Sequence, residues 1–332
     1  MQLLPHRMLL GMVAIVAAIG AVARPAAGQD GKLILYTSQP NTDAQQTIDA
    51  FKAKHPKVDV TFVRDGTPKV IAKLRAEIEA GLPQADVLLI ADAVTLEALK
   101  SEGRLLAHTE ASLGGYPAGL HDKDRTWFAT KLITTGIVYN AKSGFKPTSW
   151  ADLAKTEAKG QVVMPSPLAS GAALIHAATL IGTLDGGWKY YEALKANGAV
   201  AVSGNGDVLK QVAGGEKLIG MIVDFLPIRA KAKGSPVEFV FPSEGVSAIS
   251  EPVAILKSSR NPAAAKALVE FLLSREGQEL AAKQGYLPAH PDVAPPPGFP
   301  PRAMIKLMAL DVAKAFAEAQ ANTKRFVGIF GP

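Results

Sequence analysis

Short apolar runs alternate with amphipathic stretches along most of the chain. The first run, Lys32 to Tyr36 (KLILY), breaks at the polar turn Thr37-Ser38-Gln39, and a helical stripe with Ile48 and Phe51 follows from Thr42 until His55-Pro56 stops it. Thr42-Asp43-Ala44-Gln45 has the spacing of a capping box, in which a hydroxyl and a later glutamine satisfy orphan N–H groups. Val58 to Val63 (VDVTFV) alternates as a strand does, a helix pattern covers Pro68 to Ala80 and ends at Gly81, and Asp86 to Ile90 (DVLLI) reads as a buried strand. The order β-α-β-α-β predicts a mostly parallel sheet with helices on both faces.

A second unit of the same kind begins after Trp127. Leu132 to Tyr139 is extended, Gln161 to Met164 (QVVM) is a strand, and Ser170-Gly171-Ala172 opens a small-residue helix through Leu180. A helix at Trp188–Ala196, a strand at Ala199–Val202, the turn Ser203-Gly204-Asn205-Gly206-Asp207 with a short helix to Ala213, and a strand at Ile219–Val223 follow. The tail predicts a strand at Pro252–Leu256, helices at Pro262–Leu273 and Arg275–Lys283, a proline-rich stretch, and a last helix over Pro301–Ala321. The pattern as a whole is α/β in two units.

The N-terminus changes the picture of where the protein works. Arg7 precedes an apolar run from Met8 to Val22, and Ala23-Arg24-Pro25-Ala26-Ala27-Gly28 follows. That run is short for a membrane span and is followed by small residues, so residues 1–28 read as a secretory signal peptide cleaved near Gly28. The expected location is the periplasm. Removal would take Arg7 and Arg24 away and lower the formal charge of +6 by two. The remaining Lys and Arg are scattered among acids such as Glu77 and Glu79, with no basic stripe of the kind nucleic acid requires.

Several chemistries drop out. With no cysteine the chain has no thiol nucleophile, zinc ribbon, disulfide or lipid-anchor thiol. None of the six histidines is spaced for metal binding, and His176, inside an apolar helix pattern, reads as a packing residue. The nucleophile-elbow, P-loop and dinucleotide motifs are missing. No enzyme, resident metal or cofactor is expected. What recurs is a strand ending in a polar turn that opens a helix, at Thr37-Ser38-Gln39, Ser170-Gly171-Ala172 and Ser203-Gly204-Asn205. Such turns gather at the carboxyl ends of strands, and helix N-termini favour anions. Ordinary capping and a ligand site are both open readings of these turns.

At this point the chain resembles a family. Pro252 to Val293 (PVAILKSSRNPAAAKALVEFLLSREGQELAAKQGYLPAHPDV) is similar to the return strand, paired helices and Gly-Tyr-Leu-Pro turn of ferric-binding-type periplasmic solute-binding proteins, the receptors of ABC importers. LILYTSQPNTDAQQTIDAFKAKHPKVDV, WKYYEALKANGAV and QVAGGE match in style. The resemblance implies a two-lobed type II periplasmic binding protein, each lobe a mostly parallel sheet flanked by helices, with a ligand cleft between lobes. It divides the chain into residues 29–133 plus 249–305 for the first lobe and 134–248 plus 306–332 for the second. It also implies an ABC permease as partner and a monomeric receptor.

Within that family, iron-binding members use an adjacent tyrosine pair before a helix ending in Lys-Gly; in IVDFLPIRAKAKG the pair falls on Asp224 and Phe225. The added histidine and acid of such members fall near Pro40 and Ala91, so the resemblance implies that ferric binding is lost. Tyr190-Tyr191 lies in another helix and reads as packing. The anion half of the site is retained at Ser170, Gly171, Ala172 and Asn205, with Ser38 and Gln39 at the first turn. Asp224, and Asp92 after the third strand, are candidate partners for an ammonium group; both also read as caps or hinge acids. VDFLPIRAKAKGSPVEFVFPSEGV resembles the 2-aminoethylphosphonate-binding branch. The expected ligand is therefore a small anionic or zwitterionic phosphonate or organophosphate. Ferric iron with a synergistic anion, a sulfonate or polyamine, and an exported enzyme on the same two-lobe fold are the alternatives.

Overall fold

A computed structural model of the protein describes residues 30–332, so the segment read as a signal peptide lies outside the described residues. The opening follows the hydrophobic pattern: β1 (Gly31–Thr37), α1 (Asn41–Lys54), β2 (Val58–Arg64), α2 (Thr67–Glu79), β3 (Val87–Leu89), α3 (Ala93–Ser101), β4 (Leu105–Leu106) and β5 (Trp127–Ala129). The long β6 (Lys131–Asn140) begins the second unit, continued by β7 (Val162–Pro165), α4 (Gly171–Thr183), α5 (Trp188–Ala196), β8 (Val200–Val202), α6 (Asn205–Gly214), β9 (Ile219–Val223), α7 (Phe225–Ala232), β10 (Val237–Val240) and β11 (Ser247–Ile249). β12 (Pro252–Leu256), α8 (Pro262–Leu273), α9 (Arg275–Lys283), β13 (Leu287–Pro288) and α10 (Val312–Phe330) complete the chain.

Two sheets result, one per lobe. The first has the order β2-β1-β3-β12-β4 with β5 beside β12, and the second β10-β6-β9-β7-β8 with β11 and β13 also on β6. Both are mixed, where the sequence pattern predicts mostly parallel sheets. Strands that feed helices run parallel, as β1 does with β2 and β3 and β7 with β8 and β9. β12 and β6 enter from the opposite lobe and so pair antiparallel with β3 and β9.

Alternation along the strands sorts side chains to two cores in each lobe. Leu33, Leu35, Val87 and Leu89 meet Phe51 of α1 and Leu268 of α8, while Tyr36 and Leu88 meet Leu74 of α2 and Leu99 of α3. In the second sheet Ile137, Val162 and Met164 pack with Tyr191, Leu194 and Phe326, while Val138, Val163 and Ile222 pack with Val208 and Val212 of α6. His176 is buried against Trp150 with ring centroids 4.7 Å apart, and its Nδ1 lies 2.9 Å from the Ser247 hydroxyl. Burial pushes the imidazole down to about 3, so it stays neutral as a packing residue.

The chain passes between sheets at Thr130 and at Ser250–Glu251, and the two crossings are tied together. Thr130 donates its N–H to the Ser250 carbonyl at 3.3 Å and its hydroxyl to the Glu251 carbonyl at 2.7 Å. Glu251 has a left-handed φ of 29°, costly for a residue with a Cβ. Its carboxylate is buried and lies 2.7 Å from the equally buried ammonium of Lys131.

Two local expectations are corrected. The capping box does not form: α1 starts at Asn41 after Pro40 with no side-chain cap, and Gln45 donates to Asp49 instead. The last helix begins at Val312, capped by Asp311, not at Pro301. A single 3-10 turn at Arg302–Met304 precedes it, followed by a bridge between Val246 and Leu307. Of the apolar residues there, Met304 is 73% and Leu307 53% exposed, while Ile305 is buried with Val246 and Leu287.

The start of α7 is anchored by Asp224. Its carboxylate accepts from the Thr134 N–H at 2.8 Å, the Thr134 hydroxyl at 2.7 Å and the Phe225 N–H at 2.7 Å, with no exposure to solvent. Asp224→Ala strands those buried donors and should cost about 2–3 kcal/mol in denaturant unfolding at pH 4. Burial, against the pull of these donors, pushes the carboxyl up to about 7. The native state therefore keeps a proton that the unfolded chain releases near ~3.9. That stability is complete below about pH 4 and is lost as pH rises towards 7. The stability gap between wild type and variant should narrow from pH 4 to pH 7; a gap that widens would refute the assignment.

Candidate functional site

The carboxyl ends of strands from both sheets face one cleft of about 430 Å³. Three helices begin on it: α2 at Thr67, α4 at Gly171 and α6 at Asn205. The first N–H groups of a helix have no intrahelical acceptor, so the cleft is edged with unpaired donors and three positive dipole ends. Ser170 caps α4 by accepting from the Ala173 N–H at 3.2 Å, which leaves the N–H groups of Gly171 and Ala172 for another acceptor. α6 has no side-chain cap, and Pro68 removes one donor from α2.

Charged side chains refine this field. Arg64 and Lys69 border the cleft beside α2, and the Arg64 Nε donates to the Gln39 carbonyl at 2.9 Å, which fixes the guanidinium. Asp65, Asp207 and Glu251 are its acids. Lys69 pairs loosely with Asp65 at 3.9 Å, and Asp207 accepts from the Ser203 hydroxyl. Burial raises the Glu251 carboxyl, and Lys131 opposes that rise. Ile133, Phe225, Leu226 and Ile249 supply an apolar wall.

Of the residues singled out from sequence, Ser38, Ser170, Gly171, Ala172 and Asn205 border the cleft together. Ser38 and Asn205 hold its frame as well. The Ser38 hydroxyl accepts from the Ala91 N–H at 3.0 Å. The Asn205 side chain donates to the Ser170 hydroxyl at 3.1 Å and accepts from the Val223 N–H at 3.1 Å. Gln39, Asp92 and Asp224 do not border it. The Gln39 amide is fully buried; it lies near enough to Glu251 to favour the carboxylate, yet makes no hydrogen bond of good geometry. Asp92 caps α3 through the N–H groups of Val94 at 2.9 Å and Thr95 at 3.2 Å and the Thr95 hydroxyl, and burial raises its carboxyl. Asp92 and Asp224 thus spend their oxygens on the fold, which corrects the expectation that they pair an ammonium. Tyr190 and Tyr191 sit in the second-lobe core, the former donating to the Trp150 carbonyl at 2.8 Å.

Sequence reading passed over the β2–α2 turn, Arg64 to Thr67, and Glu251. The turn carried a signal, since Gly66 and Thr67-Pro68 open a helix after a strand as the three chosen turns do. Glu251 had no such mark. Its place at a crossing between sheets depends on tertiary topology.

Residues 83–315 match the family described as bacterial extracellular solute-binding protein. An uncharacterized Haemophilus influenzae protein is 31% identical over 300 residues, 84% of either chain. An Fe(3+)-binding periplasmic protein of Serratia marcescens is 25% identical over 284 residues, 82% of either chain. A Salmonella typhimurium periplasmic protein whose name proposes 2-aminoethylphosphonate binding is 26% identical over 265 residues, 77% of this chain and 76% of its own. Among solved structures, the periplasmic binding protein AfuA of Actinobacillus pleuropneumoniae, with fructose-6-phosphate bound, is similar with a TM-score of 0.82 at 26% identity, over 90% of this chain and 98% of its own. Two mixed sheets facing across a donor-lined cleft, and a family match over most of its length, make the chain a member of the bacterial extracellular solute-binding proteins, with the two-lobed type II fold of the receptors that serve ABC importers.

Proposed function

We propose that this receptor captures a small phosphonate or phosphate ester as a monomer, by closure of its lobes, and delivers it to a membrane permease. The convergence of the α2, α4 and α6 N-termini on one cleft carries the reading. Backbone N–H groups and hydroxyls there replace the water around an oxygen-rich anion, and Arg64 and Lys69 add charge. A cleft of about 430 Å³ is in the range of small-molecule sites, ~300–1,000 Å³, with room for an organic body beside the anion.

The organic end meets the apolar wall and Glu251. 2-Aminoethylphosphonate suits that arrangement if its ammonium goes to Glu251, which borders the cleft where Asp224 and Asp92 do not. The name of the Salmonella typhimurium relative supports this ligand. A sugar phosphate is the second reading, because its hydroxyls could donate to the same acid and AfuA carries fructose-6-phosphate. Ferric iron is disfavoured: no tyrosine or histidine borders the cleft among the described residues.

Thermal melting with 2-aminoethylphosphonate, fructose-6-phosphate, ethylphosphonate, phosphate and ferric citrate tests the ligand class. A ligand at about 1,000 times its Kd stabilises by roughly 4 kcal/mol, a shift of several degrees. One of the first two should give that shift; stabilisation by ferric citrate alone would overturn the reading. By calorimetry, Arg64→Ala should weaken every phosphorus ligand about 10- to 100-fold, as loss of a charge-assisted hydrogen bond does. Glu251→Gln should weaken 2-aminoethylphosphonate about tenfold or more and leave ethylphosphonate unchanged. The variant will also melt lower, because Lys131 loses its buried partner.

A further inference from the structure

Two glycines on facing turns set how near the lobes approach each other. A Cβ on Gly66, just before α2 in the first lobe, would lie 2.0 Å from the carbonyl oxygen of Ala169 in the second. One on Gly171, at the start of α4, would lie 2.8 Å from the Ala91 carbonyl oxygen and 2.9 Å from Thr67 in the first lobe. The atoms nearest to Gly171 on its Cβ side thus belong to the other lobe. Gly66 has φ −58° and ψ 147°, which any residue adopts, so its lack of a side chain answers to space and not to backbone conformation.

Beside these glycines the lobes share an apolar contact. Val94 of α3, 4% exposed, packs with Ala172 and Ile175 of α4 and Ala315 of α10. α10 touches both α3 and α4, and so spans the two lobes. None of these contacts uses the cleft's free N–H groups or Glu251. They involve backbone and the Thr67 side chain at the glycines, and apolar side chains at Val94.

We propose that Gly66, Gly171 and the Val94 seat form a ligand-independent latch, which gives the closed arrangement a substantial population before any solute is bound. Ligand then enters from the open population, and the latch lengthens its stay. The inference does not depend on which solute the cleft takes.

The absence of cysteine makes the test direct. Ala76→Cys and Ala193→Cys, at exposed positions on α2 and α5, would carry one spin label in each lobe. The protein is unfolded in guanidinium and refolded to strip bound solute, and the inter-lobe distance distribution is measured with no ligand added. We expect a distribution that includes the closed distance, calculated from the coordinates. Gly66→Ala and, separately, Gly171→Ala should remove that component and leave a different, open-state distance. Circular dichroism identifies either variant that fails to fold, in which case the other decides. A wild-type distribution lacking the closed distance, or one that folded glycine variants leave unchanged, would overturn the latch.

Discussion

A buried carboxylate and a buried ammonium, 2.7 Å apart, join the residue before β12 to the first residue of β6. Removing two charges from water costs several kcal/mol, and a pair this close recovers that cost only when its geometry is held firmly. Here the hold is the pair of crossings between sheets, which Thr130 stitches together through both its N–H and its hydroxyl. The Lys131 ammonium also lies 4.0 Å from the centre of the Tyr286 ring. Tyr286 in turn bonds Asp43 of α1, which pairs with Arg229 of α7 at 2.9 Å. One line of polar contacts therefore runs from the cleft to the junction of the lobes. Glu251 belongs to both, as a residue of the cleft and of the crossing.

Much of this architecture was legible in the hydrophobic pattern. The alternation of β1, β2 and β3 with α1 and α2, and the boundaries of α5, α8 and α9, follow from apolar periodicity and from breakers such as Gly81 and Pro56. Sheet direction was less legible. A strand that returns from another lobe looks locally like any other strand, and β12 and β6 run antiparallel to neighbours with the same composition. The start of the last helix was less legible too: the apolar residues before it are split between solvent, as Met304 and Leu307 are, and the packing of Ile305 against Val246 and Leu287.

The acids show where site reading from sequence runs out. An aspartate at a strand end can face a ligand or accept from the first N–H groups of the next helix, and the sequence looks the same in both cases. Asp92 and Asp224 do the second, each satisfied by donors within four residues or across one strand pair. Glu251 borders the cleft but gains its position from two crossings whose partners are more than a hundred residues apart. The turns that open α4 and α6 were easier to read, because a strand, a small polar turn and a helix start are contiguous. Ser170 and Asn205 proved to be joined to each other as well, which no local pattern could reveal.

The donors at the three helix starts are main-chain N–H groups, and this bears on how such receptors diverge. A point mutation replaces a side chain; it cannot delete a peptide N–H except by introducing proline. The main-chain donors of the cleft are thus inherited with the fold itself. The apolar wall, Arg64, Lys69 and Glu251 are side chains, open to replacement one at a time. A lineage built this way can exchange the cargo its receptors carry while the cradle stays in place.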